Sequence, residues 1–296
     1  MEKDNFEKQL YSITTIILTE GHTENSKFQG NASGFYYTIT TPTDPSIKGP
    51  HWEEIKGYWL ITNRHVILPQ IEGKEVLIDS LTFCLREIND GKIDWLPIVL
   101  TQSEIKKRTK LHEMEQVDVV AIDVTDCIHD RIIESAKSGK NNLMIPATLT
   151  NSNLPDNQPI TIDVTSDIIV ASYPKGFYDV VNKFPIVKSG IVASGWGLNF
   201  RGNPLFEIDA QLFPGSSGGV VISKPQNIAM IDGRLNYSKT KQYVFLGVYS
   251  GEYMWKDKVK RKDGSEEEID RSYGLGNVWY SYLIPEIIDS GRGLYK

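Results

Sequence analysis

The feature that most constrains the fold of this chain is a repeated pattern of short apolar runs rich in Val, Ile, Tyr and Trp. Clusters of Gly, Pro, Asn and Asp separate the runs, and such clusters are typical of turns between strands. The pattern therefore predicts an all-β architecture. The twelve candidate strands are residues 12–19, 33–40, 57–62, 76–86, 92–100 and 117–124 in the first half, and 167–173, 184–194, 205–210, 219–223, 241–250 and 272–278 in the second.

The chain divides into two predicted strand-rich units, residues 1–125 and 166–296, with a connection over residues 126–165. A short helix is predicted within the connection at residues 131–137. A C-terminal helix is predicted over residues 279–288, because its apolar residues are spaced for one buried face.

The composition is that of an ordinary globular protein, with 40% hydrophobic and 24% charged residues. The formal net charge of −6 gives no general attraction to nucleic acid or to an acidic membrane surface. We therefore expect neither as a partner. A KDGS segment at residues 262–265, between basic and acidic runs, predicts a charge-paired β-hairpin rather than a nucleic-acid patch.

A glycine-rich turn with the sequence GSSGG at residues 215–219 is the strongest signal of chemistry. Its glycines tolerate positive φ, so a serine between them can expose its hydroxyl. The same turn can direct two backbone N–H groups at one point, as an oxyanion hole requires. Ser217, unlike Ser216, stands in a Gly-x-Ser-Gly-Gly frame and is the predicted nucleophile. The N–H groups of Gly215 and Ser217 are the predicted oxyanion hole.

Two upstream residues are the predicted partners of this serine. His65 follows an apolar run with strand character, and a histidine just past a strand end is rigidly held yet faces solvent, as a proton carrier must. Asp118 opens a predicted buried strand, where its carboxylate can accept the imidazole N–H and fix the tautomer. Asp123 and Asp126 are alternatives for this acid.

The order His–Asp–Ser is that of trypsin-like serine peptidases, whereas subtilisin-like enzymes and α/β-hydrolases use other orders. The chain resembles this family, and within it the HtrA-like bacterial branch, over about residues 10–290. The segments that carry the resemblance are TNRHV at 62–66, DVVAI at 118–122, YPKG at 173–176, KSGIVAS at 188–194 and IDAQLFPGSSGG at 208–219.

The resemblance implies two packed six-stranded antiparallel barrels, with His65, Asp118 and Ser217 at their junction and a helix at the C-terminus. It implies a serine protease that hydrolyses peptide bonds through an acyl-enzyme, with no metal or organic cofactor. HtrA-like enzymes usually carry a PDZ domain, and none is expected here. The implied partners are a protein or peptide substrate and a dedicated activator or target protein that gates the protease.

The resemblance also implies a substrate-binding region. Residues 246–251 resemble the strand that lines the specificity pocket and pairs with substrate backbone. The predicted contacts on this strand are Val248, Tyr249, Ser250 and Gly251. Gln211 stands where trypsin-type specificity places an aspartate, so a neutral, partly apolar pocket is expected. Ser216 stands where digestive enzymes carry the aspartate that binds the new N-terminus, so activation by that ion pair is not expected.

Cysteine usage and the N-terminal sequence bear on location. Secreted trypsin-like enzymes usually carry several disulfides, but this chain has only Cys84 and Cys127. The apolar stretch at residues 13–18 is too short for a signal core or a membrane span. The chain is therefore expected to be cytoplasmic. The spacing of the remaining histidines is not that of metal ligands, so no metal site is expected; they are His22, His51, His112 and His129.

Two other functions fit the same residues. A protease-fold module could bind a peptide without cutting it, although a pure binder has no chemical need for His65, Asp118 and Ser217 together. An esterase on the same fold would use the same three residues.

Overall fold

The computed structural model describes residues 6–42, 53–140, 142–231, 234–261 and 265–294. Its helices are α1 (Phe6–Ile13), α2 (Arg64–Ile67), α3 (Gln102–Arg108), α4 (Thr125–Ser138) and α5 (Leu283–Ser290). Its first ten strands are β1 (Thr14–His22), β2 (Lys27–Pro42), β3 (Glu53–Thr62), β4 (Gln70–Ile71), β5 (Lys74–Glu75), β6 (Ser80–Asn89), β7 (Lys92–Thr101), β8 (Thr109–Leu111), β9 (Val120–Asp123) and β10 (Leu143–Met144). The others are β11 (Asp167–Ser172), β12 (Ile186–Val192), β13 (Leu205–Asp209), β14 (Val220–Ser223), β15 (Gln226–Ile231), β16 (Arg234–Gln242), β17 (Phe245–Lys260), β18 (Glu266–Tyr280) and β19 (Arg292–Gly293).

The prediction of a mostly β protein is confirmed, and each predicted strand overlaps an observed one. In the second half, β11, β12, β13, β18, β17 and β14 form a closed antiparallel barrel. Alternate residues point inward, because successive side chains of a strand lie on opposite faces. Phe206, Ile208, Val221 and Leu246 belong to the cluster that fills this barrel.

The first half forms one antiparallel sheet in the order β10-β6-β1-β2-β3-β9-β8-β19, and β7 pairs with β6. This order is open, so backbone pairing among the described residues does not close a second barrel. The sheet still has its own apolar core, which includes Ile17, Tyr36, Leu60 and Phe83.

A third apolar cluster joins the two halves. It contains Phe35 of the first sheet and Phe245 of the barrel, whose ring centroids lie 5.4 Å apart in an edge-to-face arrangement. Leu10 of α1 and Ile287 of α5 pack into the same cluster. Both helices therefore lie at the junction. The predicted C-terminal helix is confirmed as α5, but it begins at Leu283 because the residues before it pair within β18.

Several elements differ from the sequence-based expectation. Helix α4 is longer than predicted; it begins where Asp123 accepts a hydrogen bond from the backbone N–H of Thr125, and it ends at Gly139 in a left-handed cap. Strands β15 and β16 form a hairpin that was not predicted, although the sequence between them contains an Asp-Gly dipeptide, which favours such turns.

Strands β17 and β18 continue beyond the barrel as a two-stranded ribbon, paired as far as Lys260 and Glu266. Ion pairs cross this ribbon, including Arg271 with Asp257 at 2.6 Å and Arg261 with Glu267 at 2.7 Å. The prediction of a charge-paired hairpin is confirmed for its strands, while residues 262–264 of the predicted turn lie outside the described residues. Among the helices that the structure describes, none is long and apolar enough to cross a membrane.

Glu207 of β13 carries a buried carboxylate in an unusual environment. The residue is 1% exposed, and among the described residues neither carboxylate oxygen has a hydrogen-bond partner. Burial raises the pKa of Glu207 to about 7, and the charge of Arg201 offsets only part of this effect. The folded protein thus binds a proton at this site more tightly than the unfolded chain does.

This buried carboxylate predicts a pH-dependent stability. The contribution of Glu207 is fully present below its ordinary pKa of 4.5 and is lost as the pH rises through about 7. We expect Glu207→Gln, which mimics the protonated acid, to leave stability unchanged at pH 4 and to raise it at pH 8 by on the order of 1–3 kcal/mol. Urea unfolding of both proteins at each pH measures the difference. An equal pH dependence of the two proteins would contradict the prediction.

Candidate functional site

His65 lies in the single helical turn α2, directly after β3. The two residues that follow it, Val66 and Ile67, are buried in the core of the first half. This packing fixes the turn, while the imidazole stays half-exposed at the surface. Asn63, also buried, donates from its side-chain amide to the carbonyl of Asp118 at 2.6 Å, so it ties the start of the turn to the predicted acid.

Asp118 holds His65 from two directions. Its Oδ2 lies 2.7 Å from Nδ1 of the imidazole, and its Oδ1 accepts the backbone N–H of His65 at 2.9 Å. Burial alone would lower the pKa of His65, but the hydrogen bond and the negative charge of Asp118 together raise it above the ordinary value of 6.5. The imidazole is therefore oriented so that Nε2 is the free nitrogen.

The alternative acids have other partners. Asp123 accepts the hydroxyl of Thr125 at 2.6 Å, and Asp126 forms a two-pronged pair with Arg108. Of the three candidates named from the sequence, the structure places only Asp118 in hydrogen-bond contact with His65.

The turn that carries Ser217 packs against the end of β3. The carbonyl of Ser217 accepts the backbone N–H of Ser33 at 2.8 Å, and the hydroxyl of Thr62 donates to the carbonyl of Ser33 at 2.9 Å. Gly218 has a φ of +80°, and a Cβ there would lie 2.1 Å from the Ser33 carbonyl, so only glycine fits. Ser217 is thus brought beside the strand end from which His65 extends.

The hydroxyl of Ser217 donates to the carbonyl of Ser250 at 3.2 Å. No hydrogen bond joins it to His65 among the residues that the structure describes. Hydrogen bonds between a nucleophile and its base are often loose in the absence of substrate.

The backbone of the turn leaves two N–H groups available. Among the described residues, neither the N–H of Gly215 nor that of Ser217 has an acceptor, whereas those of Ser216, Gly218 and Gly219 all donate within the fold. Gly215 has a φ of +90°, a conformation that favours glycine. The two N–H groups predicted as the oxyanion hole are therefore not used in hydrogen bonds within the described part of the fold. Ser216 is buried, and its hydroxyl accepts that of Ser172 at 3.1 Å.

A cleft of about 540 Å³ opens beside Ser217. Its lining is Gln211, Leu212, Phe213, Pro214, Ser217, Tyr249, Gly251, Glu252, Met254, Ser272 and Gly274. Of the predicted substrate-binding residues, Gln211, Tyr249 and Gly251 line the cleft. Ser250 contributes its carbonyl to the Ser217 hydroxyl, and Val248 is fully buried in the cluster between the halves.

The backbone edge available to a substrate strand is shorter than the sequence suggested. Val248 pairs with both β14 and β18, and the N–H and carbonyl of Tyr249 are bonded to Gly219 and Gly218. Among the described residues, the edge of β17 on the β14 side therefore becomes free only from Ser250 onward.

Strands β17 and β18 supply a part of the cleft that was not predicted from the sequence. Met254, Ser272 and Gly274 come from the parts of β17 and β18 beyond the barrel, and Glu252 comes from β17 at the end of the barrel, where it pairs with Gly276. Glu252 is the one charged residue among the described residues that line the cleft, so the cleft is not wholly neutral. One sequence signal for Glu252 was available, because this residue directly follows the predicted substrate-binding residues 248–251.

The other histidines have structural partners. His22 lies 2.5 Å from Asp79, His112 lies 3.2 Å from Glu286, and the ring of His129 packs edge-on against another aromatic ring, that of Tyr58. His51 lies outside the described residues. Within the described ranges no group of three or more His, Cys, Asp or Glu side chains is placed to hold a metal ion.

The family model of the trypsin-like peptidase domain matches residues 34–228. A search of curated proteins found no significant match. Similar solved structures include the active form of the Rv3671c protease from M. tuberculosis, at 13% identity over 94% of this chain and 80% of that one, with a TM-score of 0.42. Another is the apo MamO protease domain from Magnetospirillum magneticum, at 12% identity over 94% of this chain and 96% of that one, with a TM-score of 0.42.

The contact between His65 and Asp118 predicts the titration of the imidazole. In the wild type we expect an NMR pKa for His65 above 6.5, because Asp118 stabilises the charged ring. In Asp118→Asn the negative charge is lost and burial remains, so the pKa should fall below the wild-type value. Equal far-UV circular dichroism spectra of the two proteins serve as the control for an intact fold. Equal His65 pKa values in both proteins would rule out the contact in solution.

Proposed function

The chain belongs to the family of trypsin-like peptidases, and we propose that it is a serine endopeptidase that cleaves protein substrates through an acyl-enzyme. One observation carries the proposal. The Asp118-oriented imidazole of His65 lies at the same strand end as the glycine turn of Ser217, two N–H groups of which have no acceptor among the described residues. These are the base, the nucleophile and the oxyanion site that acyl transfer requires.

Substrate binding prepares the nucleophile. The carbonyl of Ser250, at the start of the free edge of β17, now accepts the Ser217 hydroxyl. A backbone N–H of the substrate that donates to this carbonyl displaces the hydroxyl. Ser217 Oγ can then turn toward Nε2 of His65, which is the nitrogen that Asp118 leaves free.

The chemical steps follow the roles of these three side chains. Ser217 Oγ attacks the scissile carbonyl as His65 Nε2 takes its proton, and Asp118 stabilises the imidazolium. The N–H groups of Gly215 and Ser217 bind the oxyanion, each contributing about 3–4 kcal/mol. His65 then protonates the leaving amine, and a water molecule, deprotonated by His65, hydrolyses the ester and regenerates Ser217.

Location and regulation are further parts of the proposal. Cys84 and Cys127 are both free thiols, which supports a reducing compartment, the cytoplasm of a bacterium. The motif resemblance supports placement in the HtrA-like branch. A dedicated activator or target protein would limit the activity in that compartment.

Labelling with a fluorophosphonate probe tests the proposed nucleophile. We expect the wild type to be labelled and Ser217→Ala not to be labelled, because the probe reacts only with an activated serine hydroxyl. Ser216→Ala, which removes a hydroxyl from the same turn, is the matched control and should still be labelled. Absence of labelling in the wild type, or labelling of Ser217→Ala, would overturn the proposal.

The same preparations distinguish the other two functions. A peptide-binding module would bind peptides with equal affinity in the wild type and in Ser217→Ala, with no cleavage by either. An esterase would hydrolyse an acyl ester but leave the peptide amide of the same acyl group intact.

Glu252 predicts a measurable preference in the cleft. Its carboxylate is partly exposed at the cleft wall, so it should favour a basic side chain before the scissile bond by about 1 kcal/mol. In Glu252→Gln we expect kcat/KM to fall about five-fold for Lys or Arg peptides and to stay unchanged for Met peptides. Glu267→Gln, a ribbon glutamate paired with Arg261 away from the cleft, is the control. Equal losses for both peptides would contradict a charge effect.

A further inference from the structure

Arg86 of β6 is a buried cation outside the proposed triad. It is 3% exposed, and among the described residues no carboxylate pairs with it. Its guanidinium instead lies over the rings of Tyr11 and Trp95, at 4.1 and 4.4 Å from their centroids. Burial of a cation without an acidic partner is costly, and the aromatic faces compensate only in part. An apolar residue would fill this position at lower cost, so the guanidinium needs another explanation.

The hydrogen bonds of Arg86 join distant parts of the chain. It donates to the carbonyl of Thr14 at 2.8 Å, to the hydroxyl of Tyr173 at 2.7 Å and to the carbonyl of Lys183 at 2.9 Å. Thr14 is the first residue of β1, directly after α1, whereas Tyr173 and Lys183 belong to the segment 173–185 that links β11 to β12. Through the Tyr11 ring and these hydrogen bonds, Arg86 ties both the N-terminal helix and the linking segment to the first sheet.

Tyr11 of α1 strengthens the same connection. Its hydroxyl donates to the carbonyl of Asn182, and its ring stacks on Phe184 with centroids 5.4 Å apart. The N-terminal helix therefore contacts the segment 173–185 directly as well as through Arg86.

The segment 173–185 in turn holds the proposed oxyanion turn. The N–H of Tyr173 donates to Ser33 Oγ at 2.8 Å, and Ser33 Oγ donates to the carbonyl of Gly215 at 2.9 Å. The N–H of Lys175 donates to the carbonyl of Pro214 at 2.7 Å. Since the C=O and N–H of a trans peptide point in opposite directions, fixing the Pro214 carbonyl also fixes the direction of the Gly215 N–H.

The backbone of this segment depends on such contacts. Lys175 and Lys183 have φ values of +49° and +59°, in the left-handed region that non-glycine residues rarely adopt. A non-glycine residue keeps this conformation only where several contacts with the surrounding structure hold it. When the contacts of Arg86 to Tyr173 and Lys183 are lost, the segment is free to relax.

We propose that Arg86 is a positioning residue for the oxyanion hole, and that Tyr11 makes the N-terminal helix part of the same support. Without Arg86, the Lys175 N–H no longer holds the Pro214 carbonyl, and the Gly215 N–H turns away from the reacting carbonyl. This inference rests on the proposed peptidase function.

The experiment compares Arg86→Met, Arg86→Lys and wild type on one peptide substrate. We expect Arg86→Met to lower kcat about 100-fold with KM within three-fold, because removal of one oxyanion donor affects the transition state and not the bound substrate. Arg86→Lys, which can donate to the same oxygens, should restore part of kcat. Arg108→Gln, which breaks an arginine–carboxylate pair with Asp126, is the matched control and should keep wild-type kcat.

A pair of inhibitors separates this role from a general loss of structure. A peptide aldehyde forms a tetrahedral adduct that uses the oxyanion hole, whereas the corresponding alcohol uses only the substrate cleft. We expect Arg86→Met to weaken aldehyde binding about 100-fold and to leave alcohol binding within two-fold. Equal weakening of both inhibitors, or wild-type aldehyde affinity, would overturn the inference while leaving the peptidase proposal intact.

A second variant covers the case in which Arg86→Met does not fold. Tyr11→Leu removes the ring and the hydroxyl that contact residues 182–184 but keeps Arg86. We expect the same selective loss of aldehyde affinity, of about ten-fold. Wild-type affinity for the aldehyde in a folded Tyr11→Leu protein would show that the N-terminal helix does not support the oxyanion hole. Absence of cleavage and labelling in the wild type would instead contradict the proposed function.

Discussion

Ser33 of β2 makes the contact on which the arrangement of the site depends. Its N–H donates to the carbonyl of Ser217, and its hydroxyl bridges the N–H of Tyr173 and the carbonyl of Gly215. Its own carbonyl accepts the hydroxyl of Thr62, near His65. One buried residue of the first sheet therefore fixes the distance between the strand that leads to the proposed base and the turn that carries the proposed nucleophile.

These polar contacts are stable because an apolar junction surrounds them. Phe35, two residues after Ser33, and Phe245 of the barrel are both fully buried, and such side chains stabilise a fold by about 1.5–3 kcal/mol each. Exclusion of water strengthens the enclosed hydrogen bonds, since they operate at a lower effective dielectric constant. Helices α1 and α5 cover the junction, which explains why elements at both ends of the described chain bear on the site.

The molecule also keeps ionisable groups in places where they reduce stability. Arg86 is buried among aromatic rings and carbonyls, and Glu207 is buried without a hydrogen-bond partner among the described residues. An apolar substitute at either position would avoid the desolvation cost. Arg86 has a geometric explanation in its contacts to Tyr173 and Lys183. For Glu207 the structure gives its cost but no corresponding contact.

Local signals in the sequence determined the strand-rich fold, the motifs around His65 and Asp118, and the glycine frame around Ser217, because each signal depends on residues close together in the chain. Some local signals were present but missed, such as the capping box of Thr101 and Glu104 that begins α3. Only the tertiary structure decided which strand edge stays free, that Glu252 of β17 and the ribbon line the cleft, and that Arg86 connects α1 to the segment 173–185. The physical reason is separation along the chain: Ser33 and Gly215 are 182 residues apart, and no local pattern encodes a hydrogen bond that forms only when two halves pack together.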